Sequence, residues 1–402
     1  MSTFAWLDYS EHDRQRAQDV LALFKEQEIR DELGIGVIRD AFSDLLFPGT
    51  STLQTQARYF LFIPWLYLNR EARRTPSAEI ARIIRRDEVK LIEGLLGSGE
   101  DLGVIGREAG AGLKRMPSSI YWNGLGRLGI RLFPGSQVHY HRSLDRWYRA
   151  RLRPSRADDG ELLHGAASSN WHSGVPAPPE GFPDHARLAL TRNEAEYLRD
   201  RWRCAVPGSL FTFLLDGEPQ VEDADYPWSL PSLGSVPNAL QSLLGHAREF
   251  AIAMHGAALL YNLMLSEAAG NDAWVEDYRR WLREWADEIA AHEANFARWD
   301  RAAFWALIRG TGARVGYPTS TFVNRWLEIA IDAGSAKSIA SSDAARRLLR
   351  DRERQLKRAR ARLENRKLLE VWNGSSGAAR LEYRWGRPAR GMICEIIEGL
   401  AH

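Results

Sequence analysis

Between residues 113 and 131 the chain reads LKRMPSSIYWNGLGRLGIR, a stretch that gathers groups suited to contacting a nucleic acid. Lys114, Arg115, Arg127 and Arg131 can neutralise phosphates, while Ser118, Ser119 and Asn123 can bond phosphate oxygens or base edges. A helix over residues 104–111, a basic turn at Lys114 and Arg115, and a helix opened by Pro117 and Ser118 would make a helix-turn-helix unit. Trp122 would then lie on or beside the recognition helix. An ordinary helical hairpin capped by its serines fits the same pattern.

A second unit of this kind is expected over residues 304–331. FWALIRG ends a helix at Gly310, TGARVGYP forms a loop, TSTFVNRWLEIAI begins another helix, and Arg309, Arg314 and Arg325 supply positive charge. Residues 344–372 are predicted as one basic helix. Leu348, Leu349, Leu356, Leu363, Leu368 and Leu369 are too irregular for a heptad zipper and suggest one docked face, with the other solvated by arginine. Arg354, Arg358 and Arg362 would then track phosphates, because arginine pairs with them bidentately and releases counterions.

Other chemistries are poorly served. His139 and His141 share a face only in an extended segment. His164, His172 and His185 follow without acidic residues at a recognised ligand spacing, so no metal is expected. Cys204 and Cys394 are far apart and form no CxxC pair. GLGRLG at residues 124–129 matches GxGxxG literally, but no hydrophobic strand precedes it, and no cofactor is expected. There is no GxxxxGK[ST] phosphate loop, GxSxG elbow or HExxH pair. An enzyme would need a site assembled from scattered groups such as Arg58, Tyr59, His139 and Asp145.

The elements that must hold these residues are mainly α-helical. Ser10 caps a first helix that carries Ala17, Val20, Leu21 and Phe24 at helical spacing. Further helices are expected over residues 35–46, stopped by Pro48 and Gly49, from about Thr52 to a kink or break at Pro64, and over 77–96. Residues 154–186 hold five prolines and four glycines without a period, a linker or long loop that Trp171 and Phe182 can pin to a neighbouring domain. Thr191 opens the next helix with the capping box TRNE, and that helix should end before Pro207. The apolar helix over 247–265 is interrupted by His255 and Asn262 and too short to span a bilayer. After Asp272, Trp274, Tyr278, Trp281 and Trp285 draw an aromatic stripe, expected to be a packing face. The expected division is a helical domain at 1–153, a linker at 154–186, a helical domain at 187–342 and a basic helical segment at 343–402.

A chain of 402 residues, 45% of them hydrophobic, is too long for one core and apolar enough for several. Two cysteines and a charged opening sequence fit a reducing cytoplasm. Net charge is +2, yet residues 343–390 hold fifteen Lys plus Arg against six Asp plus Glu, so the remainder reads as acidic. Of the 54 basic residues, 48 are arginine.

WLDYS at residues 6–10, RDELGIGVIRDAFSDLLFPGTST at 30–52, QARYFLFIPWLY at 56–67 and MPSSIYWNGLGRLGIR at 116–131 resemble a bacterial family known only as a domain of unknown function. ARARLEN, VWNGSSG and LEYRW near the C-terminus extend the resemblance over essentially the full length. It brings no catalytic residues. It implies a stand-alone bacterial cytoplasmic protein whose relatives lie near helicase- and nuclease-like genes of phage-defence or DNA-processing clusters. One departure is expected after YRW, where Gly386 and Pro388 delay a helix until about Ile393.

The function expected first is an accessory nucleic-acid-binding component, with DNA as the partner, of a bacterial multi-protein system such as antiviral defence. The rival is a protein-interaction scaffold that holds a helicase- or nuclease-like partner through tryptophan and arginine contacts. Neither involves a membrane.

Overall fold

A computed structural model describes residues 31–402 apart from 153–154, 157–161, 164–168, 218–220, 222–223, 232–235, 333 and 335. The helix expected after Ser10 lies outside the described residues. The protein is mainly α-helical. The strands among the described residues, Ser155–Arg156 and Leu162–Leu163, are two residues each and pair antiparallel.

The chain forms two compact units, one of Ser43–Leu244 with Glu382–His402, the other of Gly245–Leu381 with the residues up to Phe42. The boundaries read from composition at 153/154, 186/187 and 342/343 mark changes of sequence texture. The units instead follow which apolar faces cover one another, and these come from separated stretches of chain.

Helix α1 (Gly36–Leu46) stops before Pro48 and Gly49, the latter at φ +87°. In the unit that begins at Ser43, helix α2 (Tyr59–Ala72) buries every side chain from Tyr59 to Tyr67 and continues through Pro64. The break expected at Pro64 is overridden because the flanking turns are enclosed by apolar neighbours, whose burial outweighs one missing backbone bond. Helices α3 (Ile80–Gly97), α4 (Pro117–Arg127) and α5 (Gln137–Leu152) follow.

The helix expected over residues 104–111 does not form. Turns occupy that stretch, ending in a single 3-10 turn at Gly110–Gly112. Gly103, Gly106 and Gly110 all take positive φ, which an α-helix does not contain. Arg85 Nη2 pins the turn by donating to the carbonyls of Ala111 (2.8 Å) and Leu113 (2.9 Å). The first helix-turn-helix unit is therefore absent, and α4 stands without its partner.

Helix α6 (Arg192–Ala205) opens with the complete Thr191/Glu194 capping box, and α7 (Leu210–Asp216) follows. Residues 169–186 of the Pro/Gly-rich stretch are pinned inside this unit. Trp171 is buried, and Phe182 stacks on Phe62 with centroids 5.7 Å apart.

Helix α8 (Asn238–Ala269), most of which lies in the other unit, is longer than expected. Its buried Asn262 is satisfied by the Ala258 carbonyl at 2.8 Å, and by the Ser376 carbonyl (2.9 Å) and amide (2.7 Å). No helix among the described residues is long and apolar enough to cross a membrane. Helix α9 (Asp272–Ala291) carries the aromatic stripe, which divides. Tyr278 and Trp285 are buried, Trp285 donating to the Ile252 carbonyl at 2.8 Å, whereas Trp281 stays 37% exposed. Helices α10 (Glu293–Arg298), α11 (Arg301–Gly310) and α12 (Tyr317–Leu327) follow.

The basic segment is not one helix. Helix α13 (Asp343–Lys357) ends where Arg358 takes φ +51°, and α14 (Arg366–Glu370) begins after a turn. The buried Glu353 carboxylate draws the chain back by accepting the amides of Arg362 (2.7 Å) and Leu363 (3.2 Å). A π-helical turn, Trp385–Arg390, takes in Pro388, so α15 (Gly391–Ala401) starts two residues earlier than expected. Helix α15 packs against α6 in the unit that begins at Ser43, and Glu395 accepts the Ala57 amide at 2.6 Å.

Candidate nucleic-acid interface

Residues 109–152 contain eight basic residues and one acidic residue, Asp145. The remainder of the chain is thus not uniformly acidic, as the count over 343–390 suggested. The second concentration of positive charge coincides with α4 and α5.

Along α4, Ser119, Asn123 and Arg127 recur at i, i+4 and i+8 and are exposed, with Lys114 and Arg115 exposed just before the helix. Pro117, Ser118, Tyr121, Trp122 and Leu125 turn inward. Gly124 faces the Gly49 carbonyl so closely that a Cβ would stand 2.3 Å from its oxygen. The GxGxxG match is therefore a helix that needs a glycine for close packing, followed by Gly129 at φ +65°.

Three of the residues read as nucleic-acid contacts instead build the support. The Ser118 amide donates to Glu88 Oε1 at 2.6 Å, and its hydroxyl accepts from Gln137 at 2.7 Å. Trp122 is buried and donates to the Gly135 carbonyl at 2.9 Å. The Arg131 guanidinium lies over the Trp122 ring and donates to the carbonyls of Trp122 and Phe133, and burial lowers its pKa.

Helix α5 extends the basic face with Arg142, Arg146 and Arg149, exposed at i, i+4 and i+7. Among the described residues, Lys114, Arg115, Arg127, Arg142 and Arg146 have no carboxylate in salt-bridge contact. The helical spacing separates the HxH pair. His139 is exposed, whereas His141 turns in toward the Tyr67 hydroxyl at 2.8 Å, and burial holds its pKa down at about 4. No cluster among the described residues could hold a metal ion.

Beneath this face lies a buried polar layer that periodicity alone did not flag. Burial pushes Glu88 up to about 7, against its hydrogen bonds from Ser118. Glu71 is also raised by burial and accepts from the Tyr140 hydroxyl (2.5 Å) and Asn170 (2.8 Å). Arg70 clamps Asp87 with bonds of 2.5 and 2.7 Å. The available signal was that Asp87 and Glu88 share the inward side of α3 with Ile84 and Leu91.

The scattered enzyme candidates do not converge. Arg58 pairs with buried Glu194 at 2.7 Å, the Tyr59 hydroxyl accepts the Ile105 amide at 3.0 Å, and Asp145 accepts the Ser77 amide at 3.0 Å.

In the other unit, α11 and α12 do form a helix-loop-helix. Arg309 and Arg314 are exposed there, and Arg325 pairs with Glu328 at 2.7 Å. On α13, Arg347, Arg350 and Arg354 line one exposed stripe, although Arg354 is engaged by Glu364 at 2.8 Å, and Arg358 is exposed just past the end of the helix. Arg362 belongs to the interior framework, bonding buried Glu32 (2.9 Å) and the Ser376 hydroxyl (3.0 Å), and Lys357 also pairs with Glu32. Arg352 is buried as well, donating to the Leu33 carbonyl at 2.9 Å and the Thr319 hydroxyl at 2.8 Å. Part of the arginine-rich segment is thus a scaffold for its own unit.

No curated protein and no solved structure matches the chain. A family of unknown function, DUF6361, matches it over residues 1–398, and with nearly the whole sequence covered the chain belongs to that family.

Proposed function

We propose that the protein is an accessory nucleic-acid-binding component whose main contact surface is the exposed face of α4 and α5. The observation that carries this reading is the set Lys114, Arg115, Arg127, Arg142 and Arg146, exposed without carboxylate partners among the described residues in a stretch with one acidic residue. Uncompensated positive charge of this kind attracts a polyanion over a distance of about 10 Å at 0.1 M salt. Ser119 and Asn123 lie between the cations, where they can bond phosphate oxygens or base edges. The arginine stripe of α13 adds a second basic surface.

No catalytic constellation accompanies this face among the described residues, so the reading assigns the protein to binding. Chemistry in the same system would come from a helicase- or nuclease-like partner. The bacterial antiviral-defence or DNA-processing setting rests on the family resemblance. The test is an electrophoretic mobility shift with duplex DNA, single-stranded DNA and RNA across a salt series. Affinity should fall steeply with salt, and changing Arg115, Arg127, Arg142 and Arg146 together to Ala should flatten the duplex slope by about 0.9 per lost phosphate contact. Absence of binding at low salt, or a quadruple variant that binds as tightly as the native protein, refutes the reading.

A further inference from the structure

Helices α8 and α9 and the chain around residues 373–380 line an open cleft of about 600 Å3. That volume is typical of a small-molecule site. Its lining combines aromatic rings, Trp281 with Tyr278 and Trp274, and carboxylates, Asp277, Glu284 and Glu288. The rings and carboxylates are interspersed along α9, so the cleft is lined by both kinds of group.

The charges in the cleft do not balance. Glu288 is neutralised by a bidentate pair with Arg380, whose Nη1 lies 2.8 Å from Oε1. His255 lies 3.3 Å from Arg380 Nη2, and burial together with that cation holds its pKa at about 4, leaving the ring neutral at pH 7. Asp277 and Glu284 share one cation, Arg280, at 2.7 and 3.9 Å. One negative charge is therefore left over beside Trp281, whose ring is 37% exposed.

We propose that this cleft binds a small organic cation, a guanidinium or alkylammonium group, against Trp281 with Glu284 as its counter-charge. A cation is attracted to an indole face by the ring quadrupole, an attraction of about 0.5–1 kcal/mol at a solvent-exposed ring such as Trp281. Glu284 is three residues from Trp281, so the carboxylate and the ring stand on adjacent positions of one helix face. Arg280 already lies 5.8 Å from the Trp281 centroid, which shows that the ring accepts guanidinium approach. Asp277 and Glu284 repel phosphate, so this cleft takes a different ligand from the basic face of α4 and α5, and the inference stands independently of that function.

The experiment is calorimetric titration of the full chain with agmatine and with tetramethylammonium, using adenosine monophosphate as an anionic control. Both cations should bind and the nucleotide should not. Trp281→Ala should weaken agmatine by about two- to fivefold, the scale of a solvent-exposed cation–π contact. Glu284→Gln should weaken it severalfold, and Trp281→Phe should retain part of the affinity, separating loss of the ring from loss of the fold. An arginine-containing peptide that binds more tightly than agmatine assigns the cation to a partner's side chain, and the reverse order assigns it to a free metabolite. No binding of any cation at about 10 mM, far above a site worth 4 kcal/mol, overturns the proposal. Equal agmatine affinity in native protein and Trp281→Ala overturns it as well.

Discussion

The guanidinium carbon of Arg131 lies 4.6 Å from the centroid of the Trp122 ring, and Arg131 Nε donates to the carbonyl of that same tryptophan at 3.2 Å. The pair holds the turn after α4 in place. Arg131→Ala should cost about 1–3 kcal/mol, from a partly buried cation–π contact and its hydrogen bonds. Arg127→Ala, one turn away and exposed, should stay within about 0.5 kcal/mol. Urea midpoints of the two variants give the comparison. Equal stability would show that Arg131 is as free as Arg127.

Glu88 should make stability depend on pH. Its folded-state pKa of about 7 lies above the unfolded value of 4.5. Its stabilising contribution is therefore complete below the unfolded value and lost as pH rises through about 7. His141 and His255, both held at about 4, act in the opposite direction over the range up to 6.5, so the Glu88 effect must be read by difference. Relative to Glu88→Gln, the native protein should lose up to about 3 kcal/mol between pH 5 and 8. A difference that is constant with pH would mean that Glu88 does not titrate in this window.

Arg362 and Arg358 should separate stability from binding. Arg362→Ala removes one of the cations that hold Glu32, which is 4% exposed, and should lower stability by about 2–4 kcal/mol. Glu32→Gln should do comparable damage by leaving Lys357 and Arg362 facing each other. Arg358→Ala should leave the melting temperature nearly unchanged, because its side chain is exposed, while reducing any nucleic-acid affinity of the basic surface at the C-terminal end of α13. Thermal melts beside mobility shifts on the same variants decide the matter.

Gly124→Ala sets helix propensity against packing. Alanine in a helix is worth about 1 kcal/mol over glycine, but here its Cβ would stand 2.3 Å from the Gly49 oxygen. Because the obstacle is backbone, we expect a net loss of about 1–3 kcal/mol. A melting temperature at or above the native value would show that the 49 turn yields easily.

Features that depend on neighbouring residues were legible in the sequence. The Thr191 capping box, the end of α6 before Pro207 and the start of α9 at Asp272 follow from contacts within one or two turns. The helix expected over 104–111 fails on Gly103, Gly106 and Gly110, whose positive φ an α-helix does not admit. The end of α13 had no such warning, since neither glycine nor proline stands at Arg358. What stops that helix is Glu353 reaching to amides nine and ten residues ahead. Within the candidate interface, the spacing of Ser119, Asn123 and Arg127 already contained the exposed face. The inward turn of Ser118 depends on Glu88, 30 residues away, and that of Arg362 on Glu32, 330 residues away. No local pattern encodes pairings of that range.

The return of α15 to α6 sets a timetable. During synthesis, the chain up to Leu244 leaves the ribosome long before Glu395 exists to hold the Ala57 amide. All of Gly245–Leu381, the bulk of the other unit, is made in the interval. The unit that begins at Ser43, most of it made before the other, therefore finishes last, and the apolar side of α6 waits uncovered while translation proceeds. A nascent chain paused before residue 382 is the form of this protein most in need of a chaperone.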